Sequence, residues 1–181
     1  GMEPYRGFPQ FMEAASMIQK RRPGCHIVVG GGEAAYYSKR QPGDKTYKEL
    51  MLEKFSFDLS RLHFTGILSY PNMLKLFQAS HIHIYLTYPY ILSWSLLEAM
   101  ATGCLVISSD TEPVKEVIED NRNGLLVDFF SPGQIADKVD EIFANPEKFE
   151  AVRENARRTI TEKYDMKNLL NQQMELVKRM I

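Results

Sequence analysis

Cysteine is scarce in this chain. Cys25 and Cys104 are the two in 181 residues. Two cannot build the bridge framework of small secreted domains, so a reducing, cytoplasmic setting is expected. Long apolar runs are lacking as well. None approaches the ~20 residues of a membrane-spanning helix. The opening Gly1-Met2-Glu3-Pro4-Tyr5-Arg6 has no apolar stretch of the kind a secretory signal needs. Any membrane association is therefore expected of a longer, full-length protein. Gly1 ahead of Met2 reads as a cloning remnant, with Met2 an internal methionine of that protein. Charge of one sign is missing too, since 22 Lys and Arg stand against 23 Asp and Glu. That balance excludes the broad basic surface that holds nucleic acid or anionic lipid, so any phosphate site has to be local. There is no internal repeat and no low-complexity segment.

What is present is an ordinary globular composition, 44% hydrophobic and 25% charged, in a length that suits one domain with a real core. Residues 8–21 place Phe8, Phe11, Met12, Ala15 and Ile18 at helical spacing, and Pro23-Gly24 stops the helix. Residues 26–30 are a short buried strand running into Gly30-Gly31-Gly32. Residues 34–45 read as a loop and 47–55 as a helix. A strand over 62–65 closes at Gly66, and a helix follows over 71–79 with proline in its first turn. Then come a strand over 81–86, a helix over 95–102 ended by Gly103, and a strand over 104–108. Residues 112–119 form a short helix, 120–124 a turn and 125–127 a last strand. Ser131 and Pro132 cap and start another helix, Asn145-Pro146 breaks it, and 166–181 is a terminal amphipathic helix. Strands alternating with helices predict a parallel α/β sheet. Ligands of such sheets bind beyond the strand C-termini.

The stretch 86–109, LTYPYILSWSLLEAMATGCLVISS, carries the chemistry. A strand ends, a loop holding Pro89 follows, and a helix opens near Ser95. Its first turn offers unpaired N–H groups and a partial positive charge, which suit a diphosphate without a lysine cluster. Glu98, one turn in, is placed to accept from two vicinal ribose hydroxyls. Ser95-Leu96-Leu97-Glu98 is equally a capping box, in which both side chains serve the backbone. Trp94 either stacks on a base or sugar or simply packs. Gly30-Gly31-Gly32-Glu33 lacks the spacing of a dinucleotide fingerprint and reads as a turn. His81 and His83 share a strand face, but no carboxylate or cysteine pattern joins them, so no metal is expected and they read as surface or interface residues. Tyr36 and Tyr37 are candidates for an acceptor-side loop. Lys20-Arg21-Arg22 and Arg157-Arg158 read as solvated helix faces.

This block resembles the retaining glycosyltransferases of the two-Rossmann (GT-B) type, often called group 1. Their signature is Glu, seven residues, Glu, then Ala-Met-Ala-x-Gly and an apolar strand. Glu98-Ala99-Met100-Ala101-Thr102-Gly103 matches its second half. Residues 110–124 (DTEPVKEVIEDNRNG) resemble the family's Pro-Glu-x-Val and acidic turn, and Leu125-Leu126-Val127-Asp128 its next strand end. Phe64-Thr65-Gly66 resembles the strand-loop beside the nucleotide base. Arg6-Gly7-Phe8 resembles the Lys-Gly pair that opens the first helix. The resemblance implies a Rossmann-like parallel sheet flanked by helices, one half of a GT-B architecture. Residues 1–181 would be a single C-terminal donor-binding domain, with the N-terminal acceptor domain outside it.

It further implies that Glu98 holds the ribose and that Leu96 and Leu97 offer amides to the diphosphate. Arg6 becomes a phosphate contact, and Ser93, Trp94, Ser95 and Gly66 complete the donor site. The family's first Glu falls on Tyr90, eight positions before Glu98. It contacts the transferred sugar, and tyrosine keeps a hydroxyl there but no charge.

The expected activity is retaining transfer from a nucleotide-diphosphate sugar, such as a UDP- or GDP-sugar, with no cofactor or metal. The acceptor, a glycan, lipid or other group, is expected on the other domain, and the fragment alone is expected to bind donor without turnover. A non-catalytic nucleotide-sugar-binding module, favoured by Tyr90, and an epimerase on the same fold remain alternatives. Only a few residues, Pro4 among them, precede the first helix, so the family's leading strand is expected upstream. An edge left unpaired by its loss invites a weak homodimer.

Overall fold

The computed structural model describes residues 1–34, 38, 42–89 and 92–180. After a 3-10 turn at Pro4–Arg6, helices and strands alternate as far as residue 144. They are α1 (Phe8–Arg21), β1 (Ile27–Gly30), α2 (Tyr47–Lys54), β2 (Leu62–Gly66), α3 (Tyr70–Ala79), β3 (Ile82–Tyr85), α4 (Trp94–Ala101) and β4 (Leu105–Ser109). Then follow α5 (Glu112–Lys115), β5 (Leu125–Val127), α6 (Pro132–Ala144), α7 (Glu150–Lys163) and α8 (Met166–Lys178). Among the described residues all pairing is parallel, as the alternation predicts, but it falls into two short sheets rather than one. β1 pairs with β2 from Ile27 opposite Leu62 to Gly30 opposite Gly66. The other sheet runs β3-β4-β5.

A shared core joins the two sheets. Ile27, Val29 and Leu62 from one, and Leu105, Ile107, Leu125 and Val127 from the other, bury with Met12 and Ile18 of α1 and Ile135 and Ile142 of α6. β4 is buried at all five residues. Its Val106 faces a second cluster formed with Leu96 and Met100 of α4 and Ala156 and Ile160 of α7. A strand covered on both faces reads as an uninterrupted apolar run, which is what Leu105-Val106-Ile107 is.

Several local expectations change. The basic pair at the end of α1 is not merely solvated: Arg21 donates to Asp137 (2.7 Å) and Asp140 (3.0 Å), and Arg22 to Asp140 (2.5 Å), tying α1 to α6. The helix expected over 112–119 stops at Lys115, because Asn123 reaches back to accept from the Glu119 N–H and donate to the Val117 carbonyl. Both cysteines are free, and burial pushes the Cys104 thiol up to about 11. In α8 no described side chain is buried, and Leu170, Met174, Leu176 and Val177 are exposed; Ile181 lies outside the described residues. Among those residues no helix is long and apolar enough to cross a membrane.

Candidate functional site

The strands deliver their C-terminal ends to one rim, where β3 leads through Leu86 toward α4. Ser93 caps that helix. Its Oγ accepts from the Ser95 N–H at 3.4 Å and lies 3.0 Å from Ser95 Oγ. The Ser93 N–H donates to the Tyr85 hydroxyl at 2.9 Å, so the last residue of β3 fixes where α4 begins. The helix therefore opens at Trp94, two residues earlier than a capping box with Ser95 as its cap requires. Ser95 is already inside it, and Glu98 lies beyond the reach of that motif. The Ser95–Glu98 capping box does not form.

Glu98 is instead half-buried with no hydrogen-bond or ion-pair partner among the described residues. A carboxylate one turn into a helix is favoured by the positive end of the dipole, and this one keeps its acceptor capacity for something else. Trp94 is 75% exposed, so it is not a packing residue. The Leu96 N–H is already engaged with the Ser93 carbonyl at 3.1 Å, and Leu97 is half-buried one residue further in.

Across the rim, Arg6 closes the turn at Pro4–Arg6 with its guanidinium Nε 3.9 Å from Glu3 Oε1. Glu3 is fully buried, and its Oε2 accepts from the Ser38 N–H at 3.1 Å. The sequence reading passed over Glu3, although its position three residues before Arg6 was a usable signal. Gly66 ends β2 with φ +66°, a left-handed conformation that favours glycine, and its carbonyl accepts from the Gly31 N–H at 2.8 Å. Arg6, Gly30, Gly31 and Ser95 border one cavity of about 1220 Å³. Ser93, Trp94, Leu96, Leu97, Glu98 and Gly66 are not in its lining. An aromatic group also went unread in the sequence: exposed Tyr5, Tyr88 and Phe130 stand edge to face, with ring centroids 6.4 and 6.3 Å apart through Tyr88. Tyr90, Tyr36 and Tyr37 lie outside the described residues.

The two strand histidines part company. His81 is exposed, while His83 packs edge-on against Phe77 at 4.8 Å and its buried Nε2 has no partner. No group of three or more metal-ligating side chains occurs among the described residues. Burial pushes the His83 imidazole down from 6.5 to about 4. Between those values the unfolded chain takes up a proton that the fold refuses, so stability falls as pH drops from about 6.5 toward 4. Denaturant unfolding is expected to show about 1–2 kcal/mol less stability at pH 5 than at pH 7 from this group. His83→Phe is expected to remove that share; an unchanged pH slope in the variant rules the assignment out.

Comparison with known proteins gives the family and the fold. The profile of the family described as glycosyl transferases group 1 matches residues 2–159. An uncharacterized glycosyltransferase of Methanocaldococcus jannaschii is 29% identical over 156 residues, covering 86% of this chain and 37% of that protein. An alpha-D-kanosaminyltransferase of Streptomyces kanamyceticus is 24% identical over 162 residues, covering 89% of this chain and 39% of that one. The chain thus spans about two-fifths of the length of these curated relatives. Among solved structures, Anabaena HepE in complex with UDP-glucose superposes with a TM-score of 0.83 at 18% identity, over 98% of this chain and 46% of its own. The C-terminal domain of the group 1 family protein LpcC from Francisella tularensis gives 0.72 at 26% identity, over 91% and 82%.

Proposed function

This chain belongs to the group 1 glycosyl transferases, and we propose that it is the donor-binding half of a retaining enzyme that transfers a sugar from a nucleotide diphosphate. The observation that carries the reading is Glu98, a carboxylate without a partner among the described residues, held one turn inside the helix that opens at the sheet's C-terminal rim. Its two oxygens accept from the vicinal ribose hydroxyls. The diphosphate lies against the head of α4, around Ser93, Trp94 and Ser95, where the helix dipole and the Leu96 and Leu97 turn stabilise negative charge. Arg6 adds a cation from across the rim, Gly66 leaves room beside the base, and exposed Trp94 is free to stack. Tyr90, by its place in the sequence, contacts the transferred sugar.

Catalysis on this reading is positioning plus stabilisation of the diphosphate leaving group as its charge develops. It calls for no metal. An acceptor, whether glycan, lipid or another group, needs a second wall to the cleft, so these residues alone bind donor without turnover. Tyr90 in place of a glutamate favours a second reading, a binding module that holds a nucleotide sugar and transfers nothing. Turnover assays of the full-length protein with a donor panel separate the two.

The binding itself is tested on residues 1–181 by a thermal-shift screen of UDP- and GDP-sugars. At 100 times its dissociation constant the correct donor adds about 2.7 kcal/mol, roughly 5–10 °C in a domain of this size. Trp94 is the single tryptophan, so its fluorescence is expected to change in the same titration. A flat response in both channels across the panel sinks the donor-binding reading.

A further inference from the structure

Tyr85 ends β3 opposite Ser108 of β4. Its ring packs in the second cluster, with Leu96 and Met100 of α4, and the residue is 8% exposed. A phenol buried at the end of an apolar strand is unfavourable unless its oxygen is hydrogen-bonded. A hydroxyl can both accept and donate. Here the oxygen accepts from the Ser93 N–H at 2.9 Å, while its own proton has no acceptor among the described residues.

The head of α4 has N–H groups that no helical carbonyl can serve. The Ser93 N–H goes to Tyr85, the Ser95 N–H to Ser93 Oγ at 3.4 Å and the Leu96 N–H to the Ser93 carbonyl at 3.1 Å. The Trp94 N–H has no partner among the described residues. Ser93 and Ser95 share a hydrogen bond between their hydroxyls at 3.0 Å, so among those residues one of the two protons is unused. Three unused donors therefore belong to this turn and to the strand beneath it: the Trp94 N–H, a serine O–H and the Tyr85 O–H. Arg6, Tyr85 and Ser95 border a common cavity, which puts the strand end, the helix head and the cation on one surface.

We propose that Tyr85 is a further contact of the donor diphosphate, its hydroxyl accepting from the Ser93 N–H and donating its own proton to a phosphoryl oxygen. The inference rests on the head of α4 being the diphosphate site. It goes beyond that reading by placing a contact on the strand under the helix rather than on the helix. An O–H that accepts an N–H is polarised and becomes a stronger donor. A hydrogen bond to an anion is charge-assisted and stronger again. The same hydroxyl holds Ser93, so one side chain both sets the turn and contacts the ligand bound there. Phenylalanine would fill the strand end equally well and do neither.

Tyr85→Phe in residues 1–181 tests it, since the ring stays and the hydroxyl goes. The variant is expected to melt within about 5 °C of the wild type. Titrations followed by amide NMR shifts compare UDP with uridine and GDP with guanosine. For the base that binds, the variant is expected to hold the diphosphate about tenfold more weakly and the nucleoside within about twofold of the wild type. Without ligand, the Ser93 amide is expected to exchange about tenfold faster, a larger change than at Val106 in the core. A diphosphate affinity that is unchanged, or that falls no further than the nucleoside's, overturns the contact. A Ser93 amide that exchanges as in the wild type overturns the hold on the turn. Failure of the wild-type chain to bind UDP or GDP is a separate result, which sinks the donor-binding reading and this contact together.

Discussion

Gly7→Ala is expected to cost about 2–5 kcal/mol of unfolding free energy and on the order of 10 °C in melting temperature. Gly7 ends the opening turn, donating to the Pro4 carbonyl at 2.9 Å, and leads straight into α1 with φ +66°. An L-residue in that conformation costs roughly 1–2 kcal/mol. A Cβ there also falls 2.3 Å from the Leu86 Cβ and 3.0 Å from its Cδ1. The first of these atoms is fixed to the backbone of the segment leaving β3, so rotation of a side chain cannot relieve the clash, and overpacking adds about 1–3 kcal/mol. Gly66→Ala is the control. Its φ is also +66°, but a Cβ there meets nothing within 4 Å, so only the smaller backbone cost of about 1–2 kcal/mol is expected. Chemical denaturation of both variants checks the pair. If Gly7→Ala costs no more than Gly66→Ala, the close approach to Leu86 is not holding the first turn against the sheet.

The same two glycines show what the sequence makes legible. Gly7 entered only with the resemblance of Arg6-Gly7-Phe8 to the family's Lys-Gly pair, whereas Gly66 stood out because it ended an apolar run, a local reading. α1 over Phe8–Arg21 and β5 over Leu125–Val127 were read to the residue for the same reason, since periodicity and turn residues act within a few positions. The α4 start was misread by one residue because a tertiary contact decides it: the Tyr85 hydroxyl, eight positions earlier, takes the Ser93 N–H. Tyr88 and Phe130 are 42 positions apart in the chain, and no short motif signals that they meet. Division of the strands into two sheets was invisible as well, because an apolar strand looks alike whether one edge or both are paired. Charge reading failed for Arg21 and Arg22 on similar grounds, their partners lying on α6, over a hundred positions away. The family signature reached further than periodicity did. It singled out Glu98, and the structure removed the competing capping role.

Glu98→Ala is expected to weaken donor binding by about 3 kcal/mol, roughly 150-fold, the scale of charged hydrogen bonds to two hydroxyls. The fold should scarcely notice. Glu98 has no partner among the described residues, alanine is a good helix former, and the lost dipole interaction is worth about 0.3–1 kcal/mol. A large binding loss with small stability loss is what separates a ligand contact from a structural residue. The ribose is then isolated by chemistry on the other partner. A donor lacking the 2′-hydroxyl should bind the wild-type chain more weakly by about 1.5–3 kcal/mol, and the Glu98→Ala chain no more weakly than the intact donor does. Calorimetry of the four combinations reads the coupling directly. If the two losses simply add, Glu98 and the ribose do not touch, and the carboxylate acts on the donor elsewhere or not at all.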